Sequence, residues 1–476
     1  MSPHLIGLVA AAPTVGDAFT QANTAWILAS SALVLLMTPG LAFFYGGMTR
    51  AKSTLNMIMM SFSSIGIVSV LWVLYGYSIA FAPDKTHGLF GDLTHRFLHN
   101  DQISSFTGID ATTGLNDYAF IAFQLMFAII TLALISGAVA DRMKFSAWLA
   151  FSVIWATVVY FPVAHWVFAF GTPLTDPKTE VAANGAAGSF VQGTGGWIVQ
   201  KLGAFDFAGG TAVHINAGAA GLALCLVLGV RKGFGKEAMR PHNLPLVMIG
   251  TGMLWFGWFG FNAGSALAAN GLAGIAFVNT QVATAAALLG WLIVERFRDG
   301  HFTTLGAASG AVAGLVAITP ACGSVSPMGA IAVGGLAGGI CCLAISLKNK
   351  FGFDDALDVV GVHLVGGLAG TLLIGFFATK TTNGVANGLF YGGDASQLGK
   401  QAVAAFAVMG YSFVLTLIIA LAIKYTMGLR ITEEAEIVGI DQSEHAETAY
   451  ELTPVPTGSS AGAHMFAGSP AQRVVT

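Results

Sequence analysis

Apolar residues fall in long runs separated by short polar segments, at roughly 24–46, 55–81, 118–140, 145–170, 205–229, 243–268, 274–295, 303–321, 328–347, 358–379 and 401–427. Each run approaches the roughly 20 residues that a helix needs to cross a hydrocarbon core about 30 Å thick. The pattern predicts about eleven transmembrane helices, and hence an all-α polytopic membrane protein. The runs group into a first set of five over 24–229, a basic loop at 230–242, a second set of five over 243–380, an eleventh helix at 401–427 and a polar tail at 428–476. Residues 1–23 form an N-terminal segment ahead of the first span.

Two of these runs carry the same polar residues at the same spacing. Residues 206–221 read DFAGGTAVHINAGAAG and residues 355–370 read DALDVVGVHLVGGLAG. Asp206, His214, Gly218 and Gly221 thus recur as Asp355, His363, Gly367 and Gly370. The runs are the fifth of each set, and an odd number of spans per set inverts the second half relative to the first, as in transporters with a site at the midplane between repeats. Small residues four apart let two such helices approach closely. If each run is helical throughout, its His lies about 12 Å deeper than its Asp, which brings both imidazoles near mid-membrane.

Basic residues set the orientation, because they collect in cytoplasmic loops. Arg50 and Lys52, Arg142 and Lys144, the group Arg231, Lys232, Lys236 and Arg240, Arg296 and Arg298, and Lys348 and Lys350 fall in alternate loops. With an odd span count the N-terminus is then outside and the tail inside. MSPHLIGLVAAAPTV at the start has small residues and a short apolar region but no basic n-region, which argues against a cleaved signal peptide.

Composition agrees with the pattern. Of 476 residues 55% are hydrophobic and 9% charged, against about 25% charged in an ordinary soluble protein. The formal charge of -3 points to no nucleic-acid partner. Cys225, Cys322, Cys341 and Cys342 offer neither a disulfide framework nor a zinc spacing and read as packing residues. No phosphate-binding GKS/T loop occurs, which disfavours ATP-driven pumping. The tail begins with acids among apolar residues, suited to packing on the inner loops, and becomes Gly, Ser, Ala and Pro-rich and disordered toward its end. The external loop 82–117 carries Asp84, Asp92, Asp101, Asp110 and Asp117, which read as solvated loop acids.

The histidine pair admits three readings. It can be helix glue, each imidazole bonding a neighbouring acceptor for about 1 kcal/mol. A metal site needs three or four ligands, and no third ligand recurs at that depth. The pair can also line a narrow path, sharing a hydrogen bond and handling a proton near neutral pH; ionisable groups inside a membrane are costly and point to function. Phe123 and Phe127 fall on one helical face, and WFGWFGFNAGSA at 255–266 sets Trp258 and Phe261 beside Asn262 and Ser265. Such rings serve packing or, with a hydroxyl nearby, replace part of a cation's hydration for about 0.5–2 kcal/mol. Asp206 can cap its helix and lower the cost of a cation arriving at the mouth.

The chain resembles ammonium transporters of the Amt/Mep/Rh family, of the bacterial Amt type. The resemblance rests on MTPGLAFFYGG at 37–47, DRMKFSAWLAF at 141–151, DFAGGTAVHINA at 206–217, HNLP at 242–245, WFGFNAGSA at 258–266, FVNTQVATAAA at 277–287, TPACG at 319–323, DVVGVH at 358–363 and GLRITEE at 428–434, and covers about residues 24–450. It implies an eleven-helix subunit in a homotrimer within the inner membrane, each subunit with its own hydrophobic pore in contact with membrane lipid. It implies ammonium recruitment at an outer vestibule of Phe127, Phe168, Ser265 and Asp206, a phenylalanine gate of Phe127 and Phe261, and pore histidines His214 and His363, with Phe123, Trp258 and Asp355 supporting them. It also implies that ammonia is the species conducted, that no cofactor, metal or catalytic residue is used, and that a cytoplasmic P-II signal protein can dock. An electroneutral ammonia channel of the Rh type and an ammonium sensor are the alternatives. One departure concerns the vestibule: many bacterial relatives have tryptophan where AHWVF places Phe168, and Trp166 lies about 200° away around the helix. A weaker outer site is the expectation.

Overall fold

The computed structural model describes residues 15–84, 86–99, 106–107, 114–170 and 195–450. Among these, ten helices are long and apolar enough to cross a bilayer: α1 (Ala18–Met48), α2 (Ala51–Phe81), α3 (Asp117–Val139), α4 (Phe145–Phe168), α5 (Gly210–Leu228), α6 (Leu244–Gly264), α7 (Gly271–Asp299), α9 (Pro327–Phe351), α10 (Val360–Phe377) and α11 (Ser396–Thr426). The run predicted at 303–321 forms α8 (Thr304–Ile318), which has only 15 residues and is about 22 Å long. Its residues from Ala308 to Ile318 are all buried, so its C-terminal end meets protein rather than lipid, where irregular backbone is tolerated at membrane depth; its first residue, Thr304, is exposed. The only pairing of strands among the described residues joins Phe106–Thr107 to Leu115–Asn116.

Sequence chemistry accounts for where the helices start. Asn243, Asn270, Thr303 and Ser326 each accept a backbone N–H of the following turn, at the heads of α6, α7, α8 and α9, satisfying donors that a helix end otherwise orphans. The first helix begins earlier than its apolar run: helical turns extend back to Val15, into the segment expected to lie ahead of the bundle. The signal-peptide question and the Gly/Ser-rich end of the tail lie outside the described residues, as do Asp101 and Asp110. Asp117, expected as a solvated loop acid, is buried at the head of α3.

The first helices of the two halves, α1 and α6, pack along one another, as do the fifth, α5 and α10. At the second pair a Cβ on Gly218 would sit 2.5 Å from the backbone nitrogen of Leu364, and one on Gly367 would sit 3.0 Å from Ile215 and 3.2 Å from the carbonyl of Gly210. Gly221 in turn faces Val359. As position rises along α5 its contacts fall along α10, so the helices run antiparallel. Of the small residues predicted to bring them together, Gly218, Gly221 and Gly367 stand at the contacts, whereas Gly370 packs on Ala317 of α8. The outward face of α11 exposes Val403, Phe406, Val414 and Ile418, an apolar surface suited to lipid.

One end of the bundle is closed by the tail. Residues 433–438 and 440–445 form the short helices α12 (Glu433–Val438) and α13 (Ile440–His445). Glu436 accepts from the backbone of Lys232 at 2.7 Å and from Arg430 at 2.8 Å. Asp441 accepts from the backbone of Leu55 at 2.9 Å and Asn56 at 2.7 Å, at the head of α2. Beneath them lies a buried ionic cluster. Arg231 donates to both oxygens of Asp354, at 2.8 Å each, and to Asp141 at 3.2 Å, which also receives Arg50 at 3.0 Å. Burial pushes the Asp354 carboxyl up, but the Arg231 guanidinium bonded to both of its oxygens holds it below the usual carboxylate range.

Candidate functional site

The two repeated runs build the centre of the molecule. In each, the chain enters its helix through an aspartate that braces the first turn. Asp206 accepts the backbone N–H groups of Gly209 at 2.8 Å, Gly210 at 2.6 Å and Thr211 at 2.8 Å, and the Thr211 hydroxyl. Asp355 accepts those of Val359 at 3.0 Å and Val360 at 2.7 Å. Residues 206–209 are therefore not helical: Gly209 turns the chain with φ +108°, a conformation glycine adopts without steric cost. The expected 12 Å rise from Asp206 to His214 is thus too long, because α5 begins at Gly210 rather than at 205. Asp206 is buried and both of its oxygens are engaged by donors of its own chain. Its contacts are those of a helix brace rather than of an open vestibule.

Both histidines sit in widened turns with hydrogen bonds five residues long. His214 N donates to Gly209 O, and Val365 N to Val360 O. Such π-turns are rare and cluster at functional sites. They aim the rings at one another: His214 Nδ1 and His363 Nδ1 are 3.2 Å apart, with near-parallel rings 5.3 Å between centroids. One imidazole donates and the other accepts, so a single proton lies between them, and each neutral ring keeps one further nitrogen for a solute. Both are almost fully buried, and His214 Nε2 finds no hydrogen-bond partner among the described residues.

Aromatic rings lead away from this pair. Phe261 lies 6.3 Å from His214 and stacks on Phe127 at 4.1 Å, with planes 21° apart. Phe127 meets the edge of Phe168 at 5.9 Å and of Phe123 at 4.9 Å. All four phenylalanines are buried. Ser265, partly exposed at the end of α6, bonds back to the carbonyl of Phe261 at 2.8 Å. Trp166 points elsewhere, its indole bonded to Leu89 O at 2.8 Å and its ring against Trp197 and Tyr411, in keeping with its opposite helical face. Of the residues singled out in the sequence, Phe123, Phe127, Phe168, Phe261, His214 and His363 are thus linked ring to ring, with Ser265 bonded to the Phe261 backbone and Asp206 and Asp355 bracing the histidine helices.

Trp258 stacks on His214 at 5.4 Å, and its indole N–H donates to Thr319 Oγ1 at 2.8 Å. Thr319 is a residue that sequence reasoning did not single out, although it heads the TPACG motif; its hydroxyl lies 3.3 Å from Asn262 Oδ1, and Asn262 in turn donates to Thr280 at 2.9 Å. This chain of side-chain bonds fixes the indole that backs the imidazole.

Membrane-crossing helices that enclose a column of rings ending on a hydrogen-bonded imidazole pair make up a transporter or channel for a small polar solute. The profile of the Ammonium Transporter Family matches residues 25–450. The chain is 58% identical over 454 residues to an ammonium transporter of Mycobacterium tuberculosis, covering 92% of this chain and 91% of the relative. It is 46% identical over 431 residues to one of Bacillus subtilis, covering 90% and 98%. Among solved structures, one described as a Sensor Amt Protein superposes with a TM-score of 0.77 at 28% identity, covering 90% of this chain and 99% of that one. The crystal structure of Saccharomyces cerevisiae Mep2 superposes with a TM-score of 0.76 at 32% identity, covering 88% and 89%. The chain belongs to the ammonium transporter family: it is a multi-pass membrane transporter for ammonium and not an enzyme.

Proposed function

We propose that ammonium is held at a recess formed by Phe127, Phe168 and Ser265, loses a proton there, and crosses as ammonia past the Phe127–Phe261 stack and the His214–His363 pair. The observation that carries this reading is the unbroken contact from Phe168 through Phe127 and Phe261 to the paired imidazoles. A bare monovalent cation in so apolar a column costs many kcal/mol, whereas a neutral amine costs far less. Shedding a proton also excludes potassium, which has none to lose. The proton shared between the two Nδ1 atoms lets the pair accept a hydrogen bond from ammonia at one free nitrogen, donate at the other, and pass a proton along. Asp206 and Asp355 hold the histidine turns in register.

The recess faces outside and the tail faces the cytoplasm, following the alternation of basic loops. The protein works as a homotrimer in the inner membrane, taking up ammonium for nitrogen supply. A P-II signal protein docks on the basic loops and GLRITEE on the tail side.

Purified protein in liposomes, given a rapid ammonium jump with potassium as control, tests the mechanism. A saturable current with ammonium and none with potassium is the expected result. An internal pH rise without current favours the neutral ammonia channel, and binding without flux favours a sensor. Replacing both His214 and His363 by leucine removes two hydrogen-bonding groups worth about 1 kcal/mol each, and the current is expected to fall roughly tenfold or more. A double variant with wild-type current and intact potassium exclusion would falsify the role of the pair.

Phe168→Trp puts a stronger cation-binding face against Phe127. A whole cation–π interaction is worth about 0.5–2 kcal/mol, so a gain of about 0.5–1.4 kcal/mol from the better face predicts a half-saturating ammonium concentration lower by roughly 2- to 10-fold, read from uptake against concentration. An unchanged or higher value counts against Phe168 as part of the recess.

A further inference from the structure

On the tail side of the imidazole pair a cavity of about 10 Å³ has a lining that includes Phe44, Tyr45, Ser309, Asp358, Val362 and His363. That is room for about one water-sized molecule, and hence for one ammonia. Its single carboxylate, Asp358, stands five residues before His363, and its backbone has φ +62°, a left-handed conformation uncommon for a side chain other than glycine. Two rings and an acid beside the last histidine are a set of groups that attracts a small cation. Asp358 is not unattended: the ammonium of Lys348 donates to its Oδ1 at 2.6 Å and to the carbonyl of Asp355 at 3.1 Å.

Lys348 carries a primary ammonium on a flexible stem, the same chemical group as the solute with one N–H replaced by carbon. It is held by a carboxylate and a carbonyl at the place where solute leaving His363 first meets an acid. Both Lys348 and Asp358 keep about a fifth of their side-chain surface exposed, 21% and 20%, so the site is open to ions from the aqueous side. We infer that Lys348 is a tethered ammonium surrogate, occupying Asp358 so that product ammonium does not lodge at the exit and block it. This rests on the proposed route past His363. A group tethered by a short flexible arm acts at an effective concentration in about the millimolar range, so free ammonium must exceed about that range to displace it. Arg231 and Asp355 are the other charged groups within electrostatic reach of Lys348.

The test is trans-inhibition in oriented liposomes containing the full chain. Inward ammonium current is measured with increasing ammonium on the tail side, at matched gradient and pH. Wild type is expected to resist. Lys348→Met and Lys348→Gln, the second keeping an N–H for the Asp355 carbonyl, are expected to be inhibited at a concentration about tenfold lower or less. Adding Asp358→Asn to either should restore resistance, and Lys348→Arg, which keeps the charge, should behave as wild type. Two neutral variants that carry current and resist tail-side ammonium as wild type does would overturn the inference, as would inhibition that persists after Asp358→Asn. The currents without tail-side ammonium stand apart from this comparison: failure of the route itself appears there, in the His214→Leu, His363→Leu variant.

Discussion

Replacing Gly218 by alanine is expected to abolish most ammonium uptake and to lower thermal stability measurably, although it adds a single methyl group. That methyl would stand 2.5 Å from the nitrogen, 2.6 Å from the Cβ and 2.7 Å from the Cα of Leu364, and a backbone cannot swing aside as a side chain can. Overpacking of this kind costs about 1–3 kcal/mol. The consequence for transport is larger than for stability, because Leu364 follows His363 and any retreat of α10 stretches the 3.2 Å contact between the imidazoles. Gly335, whose added Cβ meets nothing within 4 Å, supplies the control: its alanine variant should match wild type in melting temperature and uptake. If Gly218→Ala transported normally, the close approach of α5 and α10 would not be what holds the pair in register.

Arg231→Met is expected to produce the largest loss of stability, about 3–5 kcal/mol, the cost of leaving one member of a buried ion pair without its partner. Asp354 is fully buried and takes three of its hydrogen bonds from the side chain and backbone of Arg231. With the guanidinium gone, burial, the largest influence on that carboxyl, is opposed only by Arg142 and the backbone N–H of residue 231, and its pKa rises. The deficit relative to wild type should therefore narrow as pH falls from about 7.5 toward 5, since the stranded carboxylate escapes its penalty by taking up a proton. In wild type the sign is opposite: the depressed carboxyl contributes stability at neutral pH that is lost on acidification. Melting temperatures of the two proteins, taken from pH 7.5 down to about 3 so that the ordinary carboxylate range is crossed, check both statements. Asp354→Asn placed on Arg231→Met should recover part of the loss, and a deficit independent of pH and of Asp354 would place the effect elsewhere.

The central column is legible in the sequence for a physical reason. A helix in lipid tolerates few polar residues, so Asp206, His214, Asp355 and His363 stand out against their surroundings, and a repeated spacing brings the two sets into equivalent places. Phe127 and Phe261 become identifiable through resemblance, since rings in so aromatic a chain carry little positional meaning alone. What escapes the sequence is set by tertiary context. The shortness of α8 depends on neighbours that enclose its C-terminal end. The π-turns at the histidines depend on where the aspartates hook the backbone, which shifts the start of α5 to Gly210. Arg231, Asp141 and Asp354 lie in three separate loops beside other charges, and nothing in their local spacing announces that they share one buried cluster. Lys348 and Asp358 read as two more charges flanking a span until their distance is known.

The head of α2 has a consequence for how the molecule comes into being. After a tight turn at Ala51–Ser53 the regular part of α2 starts at Thr54, and Ser53, at the position where a capping side chain would stand, accepts nothing from the turn that follows. The carboxylate that satisfies Leu55 and Asn56 is Asp441, almost at the other end of the chain. During synthesis the second helix is therefore among the first to be inserted and among the last to be finished, its open end waiting on water until the ribosome has released nearly everything else. Closing that end requires the tail to return to α2, so a chain that stops short of Asp441 leaves two donors open hundreds of residues upstream of the break.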